Sequence, residues 1–333
     1  MQAIVYHVYG PPEVLALEEI PKPVPKSNEI LIKVYATTVN FGDLMARNFK
    51  NVTPRQFNMP GLLYWPARIT FGLNKPKKKI LGNEFAGVIE SVGTSIQNHK
   101  PGEEVFGYVS SNFGCYAEYL LTSAKVMIAS KPKHFSFEEA ACIPYGAVTA
   151  LNLLKKGAIR PNQKVLVNGA SGGIGAAAVQ LLKHYYGAEV TGVCGSPRHD
   201  FVKALGADHV IDYHQENFWE GTTAYDLIFD VLGRADFQLC KKVLSEKGIL
   251  MCASFKGKQL LQMLTTKFSK KQKVLCVMSP YQKEDIEVVR KWMEEEKLKA
   301  PIDQVFTLQQ TAEAHRYAES GMKTGYIAIR ISG

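Results

Sequence analysis

The chain has 333 residues, 46% of them hydrophobic and 21% charged, with a formal net charge of +9 at pH 7. That length accommodates two domains of ordinary size, and that composition excludes an intrinsically disordered chain. No apolar run approaches the roughly eighteen residues of a membrane span, and the alternating start MQAIVYHVYG lacks the basic region and apolar core of a secretory signal, so a cytoplasmic location is expected. Six cysteines, at 115, 142, 194, 240, 252 and 276, show no CxxC spacing, which points to free thiols rather than a disulfide framework or a zinc lobe. Much of the charge comes from lysine-rich runs, Lys75 to Lys79 and Lys270 to Lys273. A solvated surface is the plain reading and attraction for an anionic ligand the sharper one; nucleic acid is not expected as a partner.

Residues 1 to about 125 read as β-rich. AIVYHVY, EILIKVYATTV, FAGVIESVG, EEVFGYV and AEYLLTSA are the candidate strands, punctuated by GPPE, PKPVPKSNE and KPGE. Residues 48 to 80 break this pattern with prolines, aromatics and a basic end, and a lid or small helical excursion is expected there. From Glu138, EEAACIPYGAVTALNLLKKG keeps a helical apolar period up to Gly157. Short apolar runs then alternate with amphipathic segments: KVLVNG, AEVTGVCG, DHVIDY, YDLIFDVLG, KGILMCAS and KVLCVMS. Six such runs predict a doubly wound parallel sheet. After the helical DIEVVRKWMEEEKL the chain turns β-like again in APIDQVFTL and GYIAIRI, around the helical TAEAHRYAES. The expected domains are therefore 1–126, completed by 284–333, and 127–283.

KVLVNGASGGIGAAAVQLLK carries the strongest chemical signal. A strand ending at Asn168 runs into Gly169, Ala170, Ser171, Gly172, Gly173, Ile174 and Gly175, and then into a helix. Glycines let backbone approach a diphosphate, and a helix N-terminus supplies free N–H groups. The second strand ends at Cys194, where a fold preferring NAD usually places an acid on the ribose hydroxyls. No acid is therefore expected there to repel a 2′-phosphate, while Ser196 and Arg198 would hydrogen-bond it and Lys183 would add charge. The alternative for Arg198 is a solvated residue at a helix start. NADPH is the expected cofactor. No GxxxxGK[ST] is present, nor a Tyr followed four residues later by Lys, which argues against a P-loop hydrolase and a short-chain reductase.

Taken in order, VNFGDLMAR (39–47), ILGNEFAGVIESVG (80–93), KPGEEVFG (100–107), YAEYLLTSA (116–124), the glycine loop, LGADHVIDY (205–213) and YDLIFDVLG (225–233) resemble the medium-chain dehydrogenase/reductase superfamily, and within it the zinc-independent quinone oxidoreductase branch. The resemblance spans essentially the whole chain. It implies an α/β fold, a GroES-like β-rich catalytic domain plus a Rossmann domain that binds NADPH. Zinc alcohol dehydrogenases of the superfamily hold their metal at positions that here are Asn40, Asn83 and Tyr145; two amides and a phenol do not make a tetrahedral zinc site, and no metal is expected. The resemblance places Asn40 at the nicotinamide and substrate, with Asp43 beside it. It offers Tyr145 as a donor to the acceptor's oxygen or as packing. Asp43 and Arg47 have a structural alternative, a local ion pair at a helix start. Glu84 is expected to pair with a basic or backbone partner and hold its loop. Cofactor contacts are implied for Thr149, Tyr213, Leu232, Gly233, Ala253 and Ser254. Tyr64, Trp65 and Phe71 are expected to roof the site from the 48–80 segment, with Arg47 just before it as a further substrate contact, unless that segment packs on the protein's own core or on a dimer mate.

The expected activity is hydride transfer from NADPH to a quinone or α,β-unsaturated carbonyl compound. Alternatives are an alcohol dehydrogenase of the same superfamily, or a non-catalytic NADPH-binding redox sensor or RNA-binding protein. A homodimer through the apolar sixth strand, KVLCVMS, is expected.

Overall fold

A computed structural model describes residues 1–332, apart from positions 55, 58, 279 and 280. The chain forms two compact units: residues 1–53, 65–145 and 282–333 make the first, residues 54–64 and 146–281 the second.

The first unit opens with an antiparallel pair, β1 (Gln2–Val5) and β2 (Ala16–Glu19). β3 (Glu29–Thr38) follows, its β-branched residues favouring extended backbone. α1 (Phe41–Arg47) and α2 (Tyr64–Phe71) come next, then β4 (Glu84–Val92), β5 (Glu104–Tyr108), β6 (Tyr119–Ser123), β7 (Met127–Ser130) and α3 (Phe137–Ala141). All five strands expected before residue 125 are present. α2 is the helical excursion expected within 48–80. The helical pattern after Glu138 is split, because α4 (Pro144–Leu154) begins at a proline, which supplies no N–H to continue α3.

The second unit holds six strands, β8 (Lys164–Asn168), β9 (Glu189–Cys194), β10 (His209–Asp212), β11 (Tyr225–Asp230), β12 (Leu244–Cys252) and β13 (Lys273–Cys276), with α5 (Gly173–His184), α6 (His199–Ala204), α7 (Phe237–Cys240) and α8 (Gly257–Thr266). All pairings are parallel, in the order β10-β9-β8-β11-β12-β13. This is the doubly wound arrangement, with β8 central and its C-terminal end feeding the glycine turn. Leu166, Ile228, Leu250 and Val274, one from each of four strands, are buried in one cluster with Phe237 and Phe255.

The chain then returns to the first unit through α9 (Asp285–Glu294), β14 (Ile302–Thr307), α10 (Thr311–Glu319) and β15 (Tyr326–Arg330). The first unit's main sheet runs β14-β15-β3-β4-β5-β7, with β6 also pairing β3. Ile327 and Ile329 of β15 join a core with Ile4, Tyr6 and Tyr116. The unit extends to Tyr145 rather than stopping at 126, because β7 pairs with β5 and α3 packs on β3 and β4. Among the described residues no helix is long and apolar enough to cross a membrane.

Candidate active site and dinucleotide cradle

α1 starts where it does because Asn40 and Asp43 form a reciprocal cap. Asn40 Oδ1 accepts the backbone N–H groups of Gly42 (2.9 Å) and Asp43 (3.3 Å), while Asp43 Oδ2 accepts the N–H of Asn40 at 3.1 Å. The Asn40 amide nitrogen donates both hydrogens, to Asn83 Oδ1 at 2.6 Å and Glu84 Oε2 at 2.7 Å. Glu84 Oε1 accepts the backbone N–H of Tyr145 at 2.7 Å. The acid in LGNEFAG thus has no basic partner in these bonds; it joins an amide to a helix start.

The two carboxyl groups lie in the interior, Asp43 at 0% and Glu84 at 2% exposure. Burial pushes Asp43 up to about 7 and Glu84 up to about 8, against the opposing effect of their hydrogen-bond donors. Asp43 also accepts the N–H of Gly82 at 3.0 Å, fixing the turn before β4. Tyr145 has its ring 5.7 Å from that of Tyr108, with the planes tilted by 47°. The structure therefore brings Asn40, Asp43, Asn83, Glu84 and Tyr145 together, and spends every hydrogen of the Asn40 amide within that group.

The residues expected near the substrate differ in burial and partners. Arg47 is in the core and forms no local pair with Asp43: its guanidinium donates to Gly10 O (3.1 Å), meets His315 Nδ1 (2.9 Å) and pairs with Glu319 (2.5 Å). That partner comes from α10, far along the chain, which local spacing does not reveal. Phe71 stacks on Phe49 with ring centroids 4.6 Å apart and faces the core beside Phe113. Tyr64 is buried, whereas Trp65 is exposed.

In the second unit the turn after β8 is shaped by backbone proximity. Gly169 has φ +89°, which favours glycine, and a Cβ at Gly175 would lie 2.1 Å from the carbonyl oxygen of Gly169. Gly172 caps α5, and a Cβ at Gly173 would meet nothing within 4 Å. The turn Gly169–Gly175, with Ala170, Ser171 and Ile174, therefore presents open backbone at the start of a twelve-residue helix, a fit for a dinucleotide diphosphate. Asp230, at the end of β11, organises the neighbouring loop and is not among the expected residues. It accepts from Asn168 Nδ2 (2.9 Å), Leu232 N (3.2 Å) and Ala235 N (2.8 Å). Leu232, Gly233, Ala253 and Ser254 all lie here: the N–H of Ala253 donates to Asp230 O at 3.0 Å, and a Cβ on Gly233 would lie 2.4 Å from Ser254 O. Thr149 Oγ1 lies 3.3 Å from the Tyr281 hydroxyl.

A second cluster forms at the ends of β9 and β10. The position of a Cβ on Gly195 lies 3.5 Å from both an Arg198 guanidinium nitrogen and the Tyr213 hydroxyl, and 3.7 Å from the His214 ring. Contrary to expectation, an acid does stand here. Asp212 stands in register with Cys194 on the adjacent strand, and its Oδ2 accepts the Ser196 hydroxyl at 2.7 Å. The His214 N–H donates to Oδ1 at 3.0 Å, and these bonds hold the Asp212 carboxyl below its usual range. Lys183, expected to add charge, is 2.5 Å from Asp208 Oδ1. Cys194 itself is buried, and burial pushes its thiol up to about 11.

Residues 26–133 match the family described as alcohol dehydrogenase GroES-like domain, and residues 205–329 the one described as zinc-binding dehydrogenase. The chain is 30% identical to a 2-methylene-furan-3-one reductase of Solanum lycopersicum, over 99% of this chain and 79% of that protein. It is also 30% identical, with the same coverage, to an NADPH-dependent alkenal/one oxidoreductase, chloroplastic, of Arabidopsis thaliana. The solved quinone oxidoreductase of Coxiella burnetii superposes with a TM-score of 0.83 at 28% identity, over 100% of this chain and 99% of that one. The chain belongs to the medium-chain dehydrogenase/reductase superfamily, in its quinone oxidoreductase branch.

The superfamily includes zinc enzymes, but the donor set here does not suit that metal. Asn40 and Asn83 are hydrogen-bonded to each other, and Asn40 Oδ1 is spent capping α1. Neutral amides engaged in this way, with a phenol as third group, do not fit a tetrahedral zinc ion. Among the described residues there is no group of three or more His, Cys, Asp or Glu side chains that could hold a metal.

Proposed function

We propose that this medium-chain reductase uses NADPH to reduce quinones or α,β-unsaturated carbonyl compounds. One observation carries the reading: Asn40 and Asn83, where the family resemblance implies zinc ligands, are locked with Glu84 in a closed amide–carboxyl network, in a chain with a glycine-turn dinucleotide cradle. Oxidising an alcohol calls for acidifying its hydroxyl, a task suited to a Lewis acid; an electron-poor alkene or quinone is already activated. The names of the tomato and Arabidopsis relatives, which specify a 2-methylene-furan-3-one and alkenals or enones, support the same substrate class.

When bound, NADPH supplies a hydride to the electron-poor carbon of the acceptor. The turn Gly169–Gly175 holds the diphosphate on backbone N–H groups at the start of α5. Arg198, Tyr213 and His214 receive the 2′-phosphate, and Ser196 joins them when its hydroxyl leaves Asp212. In the first unit Tyr145 is the donor for the acceptor oxygen that gains charge. Its backbone is fixed by Glu84, and Glu84 is oriented by Asn40. Asn40 is thus a positioning residue, since both of its amide hydrogens are already committed. The protein forms a homodimer through β13: this is the end strand of its sheet, and the adjoining α8 exposes Leu261 and Leu264, with Phe268 just beyond.

The test is a panel of soluble quinones, alkenals and enones offered with NADPH, against simple alcohols offered with NADP⁺, followed by nicotinamide absorbance. Turnover of the electrophilic acceptors alone is the expected result. Alcohol oxidation without acceptor reduction, or NADPH binding without any turnover, would overturn it.

A further inference from the structure

The segment that carries α2 exposes an apolar surface followed by lysines. Between Asp43 and Glu84 the chain has eight lysines and arginines and no acidic residue. α2 divides its residues in an unusual way. Phe71 turns inward onto Phe49, and Arg68 reaches back to donate to the carbonyls of Phe49, Lys50 and Leu73 at 3.1, 3.1 and 2.9 Å. The outward side carries Trp65 and Ile69, one helical turn apart, 64% and 57% exposed, and Leu73, just past the Gly72 turn that ends the helix, is 49% exposed. Exposed Lys75, Lys78 and Lys79 follow directly.

The segment is held, not trailing. The Tyr9 hydroxyl shares its one hydrogen between the carbonyls of Phe71 (2.8 Å) and Gly72 (2.9 Å), and Lys77 Nζ donates to Ile69 O at 2.6 Å. A fixed helix and the turn after it therefore offer an indole and two aliphatic side chains to solvent, with exposed lysines following in the chain and no carboxylate in the segment.

We infer that the outward face of α2 and the lysines after it form a docking surface for an anionic lipid bilayer. An indole prefers the headgroup boundary, where its ring is covered and its N–H stays wet. Ile69 and Leu73 gain by entering the acyl region. Lys75, Lys78 and Lys79 reach the phosphates, each strengthening attachment to an anionic surface about fivefold. A nucleic acid would use the lysines but has no place for exposed Ile and Leu; the charge pattern and the aliphatic pair together select lipid. Binding is expected to be reversible, because so small an apolar face inserts shallowly. This inference is independent of the proposed reaction.

The full chain is sedimented with vesicles of phosphatidylcholine alone and of phosphatidylcholine mixed with phosphatidylglycerol, at low and high salt. Partition to the mixed vesicles, lost at high salt, is expected. The triple charge reversal Lys75→Glu, Lys78→Glu, Lys79→Glu and the pair Trp65→Ser, Ile69→Ser are each expected to weaken partition at least ~10-fold. The lysine variant changes only solvated side chains, and an unchanged thermal transition verifies its fold. No binding to the mixed vesicles, equal binding to neutral ones, or binding that survives the lysine variant would overturn the inference. So would a fall in the lipid-free sedimentation coefficient of the apolar variant, which would assign the face to contact between copies of the chain.

Discussion

The Glu84 carboxyl group and the backbone N–H of Tyr145, 61 positions apart, meet at 2.7 Å. The first residue of β4 thereby satisfies a donor in the first turn of α4, which has no carbonyl within its own helix to receive it. Replacing Glu84 with Ala leaves this N–H and one hydrogen of the Asn40 amide without an acceptor. Denaturant unfolding is expected to show a loss of about 2–4 kcal/mol. Glu84→Gln retains one acceptor oxygen and is expected to cost less. An alanine variant as stable as the parent would show that the carboxylate holds nothing.

The same interior predicts how stability responds to pH. Glu84 and Asp43 are raised to about 8 and about 7 in the fold, so the folded state retains protons that the unfolded chain has released. Each group then makes stability fall as pH rises from the unfolded carboxyl range toward its folded value. His315 acts in the opposite sense: burial and the adjacent Arg47 hold it down to about 3, so stability falls as pH drops below the unfolded histidine range, about 6.5. These slopes oppose one another at acidic pH, but above about 6.5 only the carboxyl groups act. Between there and the folded value of Glu84, stability is expected to decline with rising pH, by no more than about 1.4 kcal/mol per pH unit per group. Glu84→Gln is expected to flatten this slope, and thermal melts across buffers will measure it.

Asp212 competes for the Ser196 hydroxyl and places negative charge beside the cluster assigned to the 2′-phosphate. Asp212→Asn is expected to lower the KM for NADPH while changing that for NADH little. Arg198→Ala is expected to raise the KM for NADPH by ~10-fold or more, the worth of a charge-assisted hydrogen bond. Steady-state kinetics with the two cofactors reads both effects, and an NADH-selective parent enzyme would refute the assignment.

Gly175 and Gly173 separate steric demand from open backbone. Gly175→Ala brings a methyl against the Gly169 carbonyl, a backbone atom that moves only with the turn. NADPH affinity, measured by fluorescence titration, is expected to fall by more than ~10-fold, an order set by the distortion of a diphosphate cradle. Gly173→Ala meets no neighbour and is expected to leave the thermal transition where it was.

The sheet of the second unit is legible in the sequence because buried parallel strands are continuous apolar runs, and KVLVNG to KVLCVMS all became β8 to β13. β2 and β7 were not foreseen; ALEE and MIAS are four residues each, too short for a period to register. In the candidate site, the amide at 40 and the acid at 84 were visible as residue types. Their joining was not, since the contact spans 44 positions. Asp212 was missed for a similar reason: it belongs to β10 and reaches Ser196 only through strand register. Arg47 looked local but is bound to α10, again a long-range pairing that periodicity does not encode.

β15 lies between β14 and β3 within the first unit's sheet, although it is built from residues 326–330. During synthesis, residues 146–281 emerge as one uninterrupted stretch, whereas the β-rich body waits for a strand made almost three hundred residues after β3. Maturation is therefore ordered in time. A ribosome stalled before Tyr326 would carry a chain equipped for its nucleotide but with an open edge on β3, the sort of exposed strand that chaperones shield and aggregates recruit.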